Sequence, residues 1–356
     1  MSDIVIIGGG IAGVSAAAVL SENAHVTLIE AEEHLAYHAS GRSAAMFLEN
    51  YGNDIVRALN RASAAHLRDT GCLRQRGVMM LARADQRAAF EAETASFGME
   101  HLGLDEARQM FPILNPATVA HAGYRPDVFD LDTDLLIQGY RKVALKNGAD
   151  IVTGARVDRI VRAGGQWHLR WPGGEAQADI LINAAGAWAD GVAQMAGAAP
   201  LGLQPYRRSM AVIAAPGGHD VTHWPFVDGV EESWYAKPDA GRWLISPSEQ
   251  HPVPPQDAWA DDMVLAEGLY RYEEMVSEPV TRIEHSWAGL RTFAPDRALV
   301  IGADPGVAGL FWLAGQGGYG FQTAPAAAGL LGALVNGTKP GLAPETVAAL
   351  SPARFH

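Results

Sequence analysis

Cysteine is nearly absent: Cys72 is the single one in 356 residues. That excludes an internal disulfide framework and suits a reducing compartment, with a buried inert thiol as the ordinary role for Cys72. Positive charge is scarce too. Forty Asp and Glu outnumber 27 Lys and Arg, a formal charge of −13, which argues against a nucleic-acid surface because phosphate binding needs a basic footprint. A small-molecule pocket can still differ in sign from the whole. No apolar run reaches membrane-spanning length, no basic leader precedes the first apolar stretch, and there is no repeat or low-complexity tract. A cytoplasmic protein is expected, with no transmembrane segment and no metal site.

What is present is an ordinary globular balance, 48% hydrophobic and 19% charged, in a chain long enough for two domains. Residues Asp3 to Glu30, DIVIIGGGIAGVSAAAVLSENAHVTLIE, organise the rest. Ile4 to Ile7 suit a buried parallel strand. Gly8, Gly10 and Gly13 form G-x-G-x-x-G, a small-residue helix follows over Ile11 to Leu20, and a second apolar strand, Val26 to Ile29, ends at Glu30. The first glycine permits the tight turn, the second admits a pyrophosphate, and the third lets helix and strand pack. The helix N-terminus offers N–H groups and a positive dipole end to phosphates. Glu30 lies where a carboxylate accepts ribose hydroxyls and repels a 2′-phosphate, so NADP is disfavoured while NAD and FAD are not separated.

Further along, residues 54 to 70 and 85 to 110 carry helical spacing, with a short strand at Met79 to Leu81 between them. Asp134 to Lys146 is a helix stopped by Asn147-Gly148. Residues 151 to 183 alternate between Gly-Gly turns and read as a small β-meander, leading into a helix start at Trp188. Residues 203 to 250 alternate again, with Lys237 to Gly241 as the turn between Ser233–Ala236 and Trp243–Ser246. A helix is expected at about 262 to 277, then strands near 284–288, 298–302 and 310–314, then a helix to Val335, with 337 to 344 as a tail. Gly315, Gly317 and Gly320 repeat the glycine pattern, but no strand ending in an acid follows, so a second dinucleotide site is not expected. A helix N-terminus there could instead stabilise negative charge on a flavin ring.

The motifs YHASGRSAA (37–45), INAAGAWAD (182–190), GLQPYRRS (202–209), YAKPDAG (235–241), HSWAGLRTF (285–293) and GQGGYGFQT (315–323) resemble, in order along nearly the whole chain, the D-amino-acid oxidase superfamily of FAD-dependent amine oxidoreductases. Within it the chain is similar to the D-arginine dehydrogenases. The resemblance implies an α/β fold: a Rossmann-like FAD-binding domain (1–75, 140–200 and 286–356) interleaved with a smaller α+β substrate domain built on an antiparallel sheet (76–139 and 201–285). It implies a non-covalent FAD. Gly8, Gly10, Ala12, Gly13, Glu30 and Ala31 match its adenine side, and Val157 matches a backbone contact to the adenine. Ser40, Gly41, Arg42, Ser43, Ala44, Ala45 and Met46 match the stretch lining the flavin. Gly186 in INAAGAWAD is assigned to the same site, and Gly317, Gly318, Tyr319, Gly320, Phe321 and Gln322 match the loop against the pyrimidine ring. Relatives with a histidyl flavin attach it near His38; attachment is not expected here.

An α-amino acid must be held by its carboxylate with its Cα–H facing flavin N5, and a bidentate arginine in a dry cleft does this best. Arg291 is the candidate clamp, with Tyr235 as a second donor, Arg208 nearby, and Tyr51 matching a tyrosine on a mobile loop that closes over substrate. The D-arginine enzymes have a histidine where this chain has Met46, and a glutamate for the guanidinium where it has Val78. With no acid between Gly71 and Ala84, an unpaired guanidinium would be costly. Met46, Phe47, Leu48, Val78, Met79 and Gln322 therefore suggest an apolar or neutral side chain, while Glu49 keeps a cation open.

The expected reaction is oxidation of a D-amino acid to the imine and 2-oxo acid by hydride transfer to flavin N5. The alternatives are a 2-hydroxy-acid dehydrogenase, which needs a base that Met46 does not provide, and a secondary-amine or opine dehydrogenase, in one form a subunit of a hetero-oligomer. A flavin-binding scaffold without turnover is a further rival. The partner is a small amine or amino acid; the electron acceptor is oxygen, a quinone or a partner subunit.

Overall fold

The computed structural model describes residues 3–356; Met1 and Ser2, at the head of the expected first segment, lie outside the described residues. The expected strand–helix–strand unit forms as Ile4–Ile7, Ile11–Leu20 and Val26–Ile29. Its strands are buried on both faces, as in a covered parallel sheet. They belong to a six-stranded sheet ordered Val300–Ala303, Leu310–Ala314, Ile180–Asn183, Ile4–Ile7, Val26–Ile29, Asp150–Val152. Every pairing is parallel except the one between the first two. One face packs on the helices Ile11–Leu20, Asp54–Asp69, Thr133–Lys146 and Gly320–Val335. The other is covered by a three-stranded meander (Arg159–Ala163, Gln166–Trp171, Gly174–Ala178) and the helix Ala189–Met195, with Trp167 fully buried between. The run 151 to 183 is thus divided: its centre is the meander and its two ends are strands of the parallel sheet.

A nine-stranded sheet forms the second layer. Gln204–Ile213 pairs antiparallel with His285–Phe293, with Arg242–Ser246 and with His251–Pro252. The order continues through Tyr235–Asp239, Phe226–Gly229, Val78–Arg83, Val119–Arg125 and Glu100–Leu102. Phe226–Gly229 and Val78–Arg83 run parallel, so the sheet is mixed rather than wholly antiparallel. The expected hairpin is tighter than its sequence suggested. Its strands reach Asp239 and restart at Arg242, leaving Ala240 and Gly241, both at positive φ, as a two-residue turn.

The helical reading of 85 to 110 fails in its middle. The helix Arg87–Phe97 stops at Gly98, which takes a left-handed φ of 63°, and Glu100–Leu102 is a strand before Leu104–Met110 resumes as helix. The strand expected at 284–288 runs on to Phe293, which puts Arg291 inside it. The expected tail, 337 to 344, is free of helix up to its last residue, where the helix Pro344–Leu350 starts. Among the described residues no helix is long and apolar enough to cross a membrane.

Candidate active site

A single cavity of about 730 Å³ joins the two sheets. At one end lies the glycine loop. Gly8, at φ 112°, turns where a Cβ would strike the Ala184 carbonyl, and a Cβ on Gly13 would strike the carbonyl oxygen of Gly8. Gly13 accordingly stands behind the cavity wall, where it sets the helix against the strand. The Glu30 carboxylate accepts from the N–H groups of Gly9 (2.6 Å) and Glu32 (2.8 Å) and faces the cavity. Ser40 Oγ accepts from Ile11 N–H at 2.9 Å, so one of the helix's leading N–H groups is already used by the protein.

Gly8, Gly10, Ala12, Glu30, Ala31, Ser40, Arg42 to Met46, Val157, Gly186, Gly317, Gly318 and Gly320 to Gln322 all line this cavity, as do Leu48, Val78, Tyr51, Arg208, Tyr235 and Arg291. Gly41 and Tyr319 do not. A Cβ at Gly41 would strike the Ala36 carbonyl, and the Tyr319 ring packs between Tyr51 and Phe293. Burial, with Tyr51 beside it, pushes the Tyr319 phenol up to about 12. Arg42 touches the cavity, but four of the five N–H groups of its guanidinium are engaged: it donates to the carbonyls of Tyr37, Ala258 and Ala288 and pairs with Asp257 at 2.6 Å. It ties the 37–42 loop to the strand His285–Phe293. His38 meets Glu32 at 3.0 Å and packs on Trp188.

The far end is built on one face of the second sheet. Strand alternation puts Arg208 and Met210, Phe226 and Asp228, Tyr235, Val78, and Gly289 and Arg291 on the cavity side. Gly318 lies so close that a Cβ there would come within 3.1 Å of the Arg291 guanidinium. Burial opposes the Arg291 charge, yet Tyr51, Tyr235, Glu232 and Tyr319 together outweigh it and raise its pKa. For Arg208 burial and the like charge of Arg291 lower the pKa, although a guanidinium remains a cation. Arg208 is 5% exposed; its Nε donates to the Glu249 carbonyl at 2.9 Å and its Nη2 has no hydrogen-bond partner. Gln322 likewise has a buried, unpartnered Nε2, while its Oε1 accepts from Leu48 N–H at 3.3 Å.

Tyr51 is held from below. The side-chain amide of buried Asn60 donates to the carbonyls of Glu49 (3.2 Å) and Tyr51 (2.9 Å), and Arg57 Nε donates to Asn50 O at 2.8 Å. Glu49 pairs with Arg68 at 2.8 Å, so its carboxylate is committed to the helix surface rather than to a ligand cation. Met46 sits with its sulfur 3.8 Å from Lys237 Nζ, which pairs with Asp130 at 2.6 Å. The sequence reading missed five acids on the cavity wall: Glu32, Glu93, Asp228, Glu231 and Glu232. Only the alternation of Phe226 and Asp228 hinted at one of them.

The family model of the FAD dependent oxidoreductases (DAO) matches residues 3–334. The chain belongs to this family. Human mitochondrial dimethylglycine dehydrogenase is 27% identical over 356 aligned positions, covering 90% of this chain but 40% of its own length. The chain therefore spans less than half of that relative. Among solved structures, glycine oxidase from Geobacillus kaustophilus superposes with a TM-score of 0.84 at 22% identity, covering 99% of this chain and 98% of its own. Iminodiacetate oxidase from Chelativorans sp. gives 0.81 at 22%, covering 98% of each chain. At that identity the likeness concerns the fold.

The DAO family's cofactor is FAD, and the residues present fit it. The glycine loop leaves backbone where side chains would collide, Glu30 stands at the end of the second strand, and Gln322 keeps a buried donor without a partner.

Proposed function

We propose that this protein oxidises a D-amino acid, or a closely related secondary amine, at the carbon between nitrogen and carboxylate. The observation that carries the reading is the pair of guanidiniums, Arg208 and Arg291, facing one enclosed cavity with hydrogen-bonding capacity unspent. Two buried like charges destabilise each other, and a carboxylate between them removes that cost. Glycine, iminodiacetate and dimethylglycine, for which the similar proteins are named, all carry an amine next to a carboxylate.

Arg291 grips the carboxylate with its planar fork, Tyr235 turns its hydroxyl from Met210 Sδ (3.5 Å) to donate a further hydrogen bond, and Arg208 adds charge through Nη2, which has no hydrogen bond of its own. Tyr51, braced by Asn60, closes the mouth and keeps water out. Met46, Leu48 and Val78 form apolar wall around the reacting carbon. Bound non-covalently at the glycine loop, FAD supplies the hydride acceptor, flavin N5. The clamp fixes the carboxylate; the enantiomer is chosen once the amine and the side chain are also placed against the cavity wall with the Cα–H toward flavin N5. A 2-hydroxy acid would need a base for its alcohol proton; His38 on the cavity wall pairs with Glu32, and Met46 stands where the resemblance places a histidine.

The test is anaerobic bleaching of the yellow holoprotein by a panel of D- and L-amino acids, secondary amines bearing a carboxylate, and 2-hydroxy acids. Bleaching by amines that carry a carboxylate is expected. Bleaching by hydroxy acids alone would overturn the reading.

A further inference from the structure

The cavity wall carries one charged group that the carboxylate clamp does not use. Asp228 stands opposite Tyr235 in the antiparallel register, so the two side chains leave the same face of the sheet side by side. Its carboxyl group opens onto the cavity and, among the described residues, has no hydrogen-bond partner. Its surroundings are mixed: Val78 and Phe226 lie beside it, Phe97 and Met99 line the same cavity, and so do the acids Glu93 and Glu232 and the cation Arg208. Burial, reinforced by the negative fields of Glu232 and Glu93 and opposed by Arg208, raises its pKa well above the ordinary carboxylate value.

A carboxyl group left unpartnered at a desolvated wall beside other acids costs stability unless something that binds there repays it. The neighbouring segment is strained in the same way. Glu231 and Glu232 both hold positive φ, 62° and 48°, at the cavity wall. The second observation is Arg208, 5% exposed, whose Nη2 points to within 3.8 Å of Glu232 and still lacks a hydrogen bond. The cavity therefore presents unspent positive charge on the Arg208–Arg291 side and an unspent acid on the adjoining strand. A ligand with both signs complements it.

We propose that Asp228 is the specificity residue for the substrate side chain, and that it selects amino acids ending in a cation, a guanidinium or an ammonium. The proposal rests on the carboxylate clamp of the preceding subsection and reverses the apolar-pocket expectation drawn from Val78. The acid absent from position 78 is provided by the strand that pairs with it, Phe226 against Val78 and Asp228 against Met80. Binding of the cation ionises Asp228 and releases its proton to solvent.

The experiment is calorimetric titration of the FAD-loaded protein with two carboxylates that lack the α-amine and cannot react: δ-guanidinovalerate and heptanoate. The guanidino acid is expected to bind at least about tenfold more tightly, in line with one buried ion pair, with a proton release seen as a buffer-dependent heat. In D228N and D228S that advantage disappears, and the ratio of kcat/KM for D-arginine over D-leucine falls with it. Retention of the flavin band reports folding, and should neither variant load FAD, the wild-type comparison of the two ligands still decides. Equal binding of both ligands to the wild type, or an advantage that survives in both variants, overturns the proposal alone when heptanoate binds and D-leucine bleaches the flavin. If neither carboxylate binds and no amino acid bleaches it, the clamp reading fails as well.

Discussion

Arg208 and Arg291 face one cavity from adjacent antiparallel strands, Arg208 opposite Gly289 and Arg291 two residues further on, and neither hydrogen-bonds to a carboxylate. Two like charges facing one cavity, Arg208 buried and Arg291 partly so, disfavour each other. In the proposed function this arrangement is the mould for a substrate carboxylate.

Replacing Arg291 by Met therefore removes the partner of a buried carboxylate. The expected loss is about 3–5 kcal/mol, or roughly 150- to 5,000-fold in kcat/KM for flavin reduction. R291K, which keeps charge but loses the planar fork, should fall between wild type and R291M. Stopped-flow reduction across substrate concentrations measures both. Equal rates in R291M and wild type would remove Arg291 from the substrate site.

Gly13→Ala forces a Cβ into the carbonyl oxygen of Gly8. The glycine loop must then open. The purified variant should carry little flavin, read as the ratio of visible to protein absorbance, whereas a Gly329→Ala control, where a Cβ meets nothing within 4 Å, should carry the wild-type amount.

The flavin is expected to be released by acid precipitation, because His38 is paired with Glu32 and packed on Trp188. Flavin in the supernatant and an unmodified protein mass check this. Yellow colour retained in the pellet would point to a covalent bond.

Asp228 gives the stability a pH dependence. Its carboxyl pKa is raised in the folded protein above its ordinary 3.8, so the folded state binds more protons than the unfolded one. Its contribution is fully present below about 3.8 and is lost as pH rises through the folded value. Denaturant midpoints followed upward from acid pH should fall more steeply for wild type than for D228N. Parallel curves would show that Asp228 does not titrate abnormally.

The first thirty residues were legible because every requirement there is local: a glycine where a Cβ would collide, an apolar run, an acid at a strand end. The helix break at Gly98 was legible in principle, since a glycine after Phe97 is a stop signal, but the periodicity on either side masked it. Arg42 was placed beside the flavin by its motif. Its actual partners, Asp257, Ala258 and Ala288, lie more than 200 residues away in sequence, and nothing near Arg42 encodes them. Asp228 was missed for the same reason. It is an unremarked acid on a short strand until Val78 on one side and Tyr235 on the other pair with that strand and turn it toward the cavity.

The most direct measurement mixes the holoprotein anaerobically with the D and then the L form of one amino acid, arginine first, and follows both the flavin band and the products. The account predicts that the D form bleaches the flavin and yields one 2-oxo acid and one ammonia per flavin reduced. Bleaching by the L form only would contradict the assigned stereochemistry. An intact flavin band with every carboxylate-bearing amine would contradict the assigned chemistry.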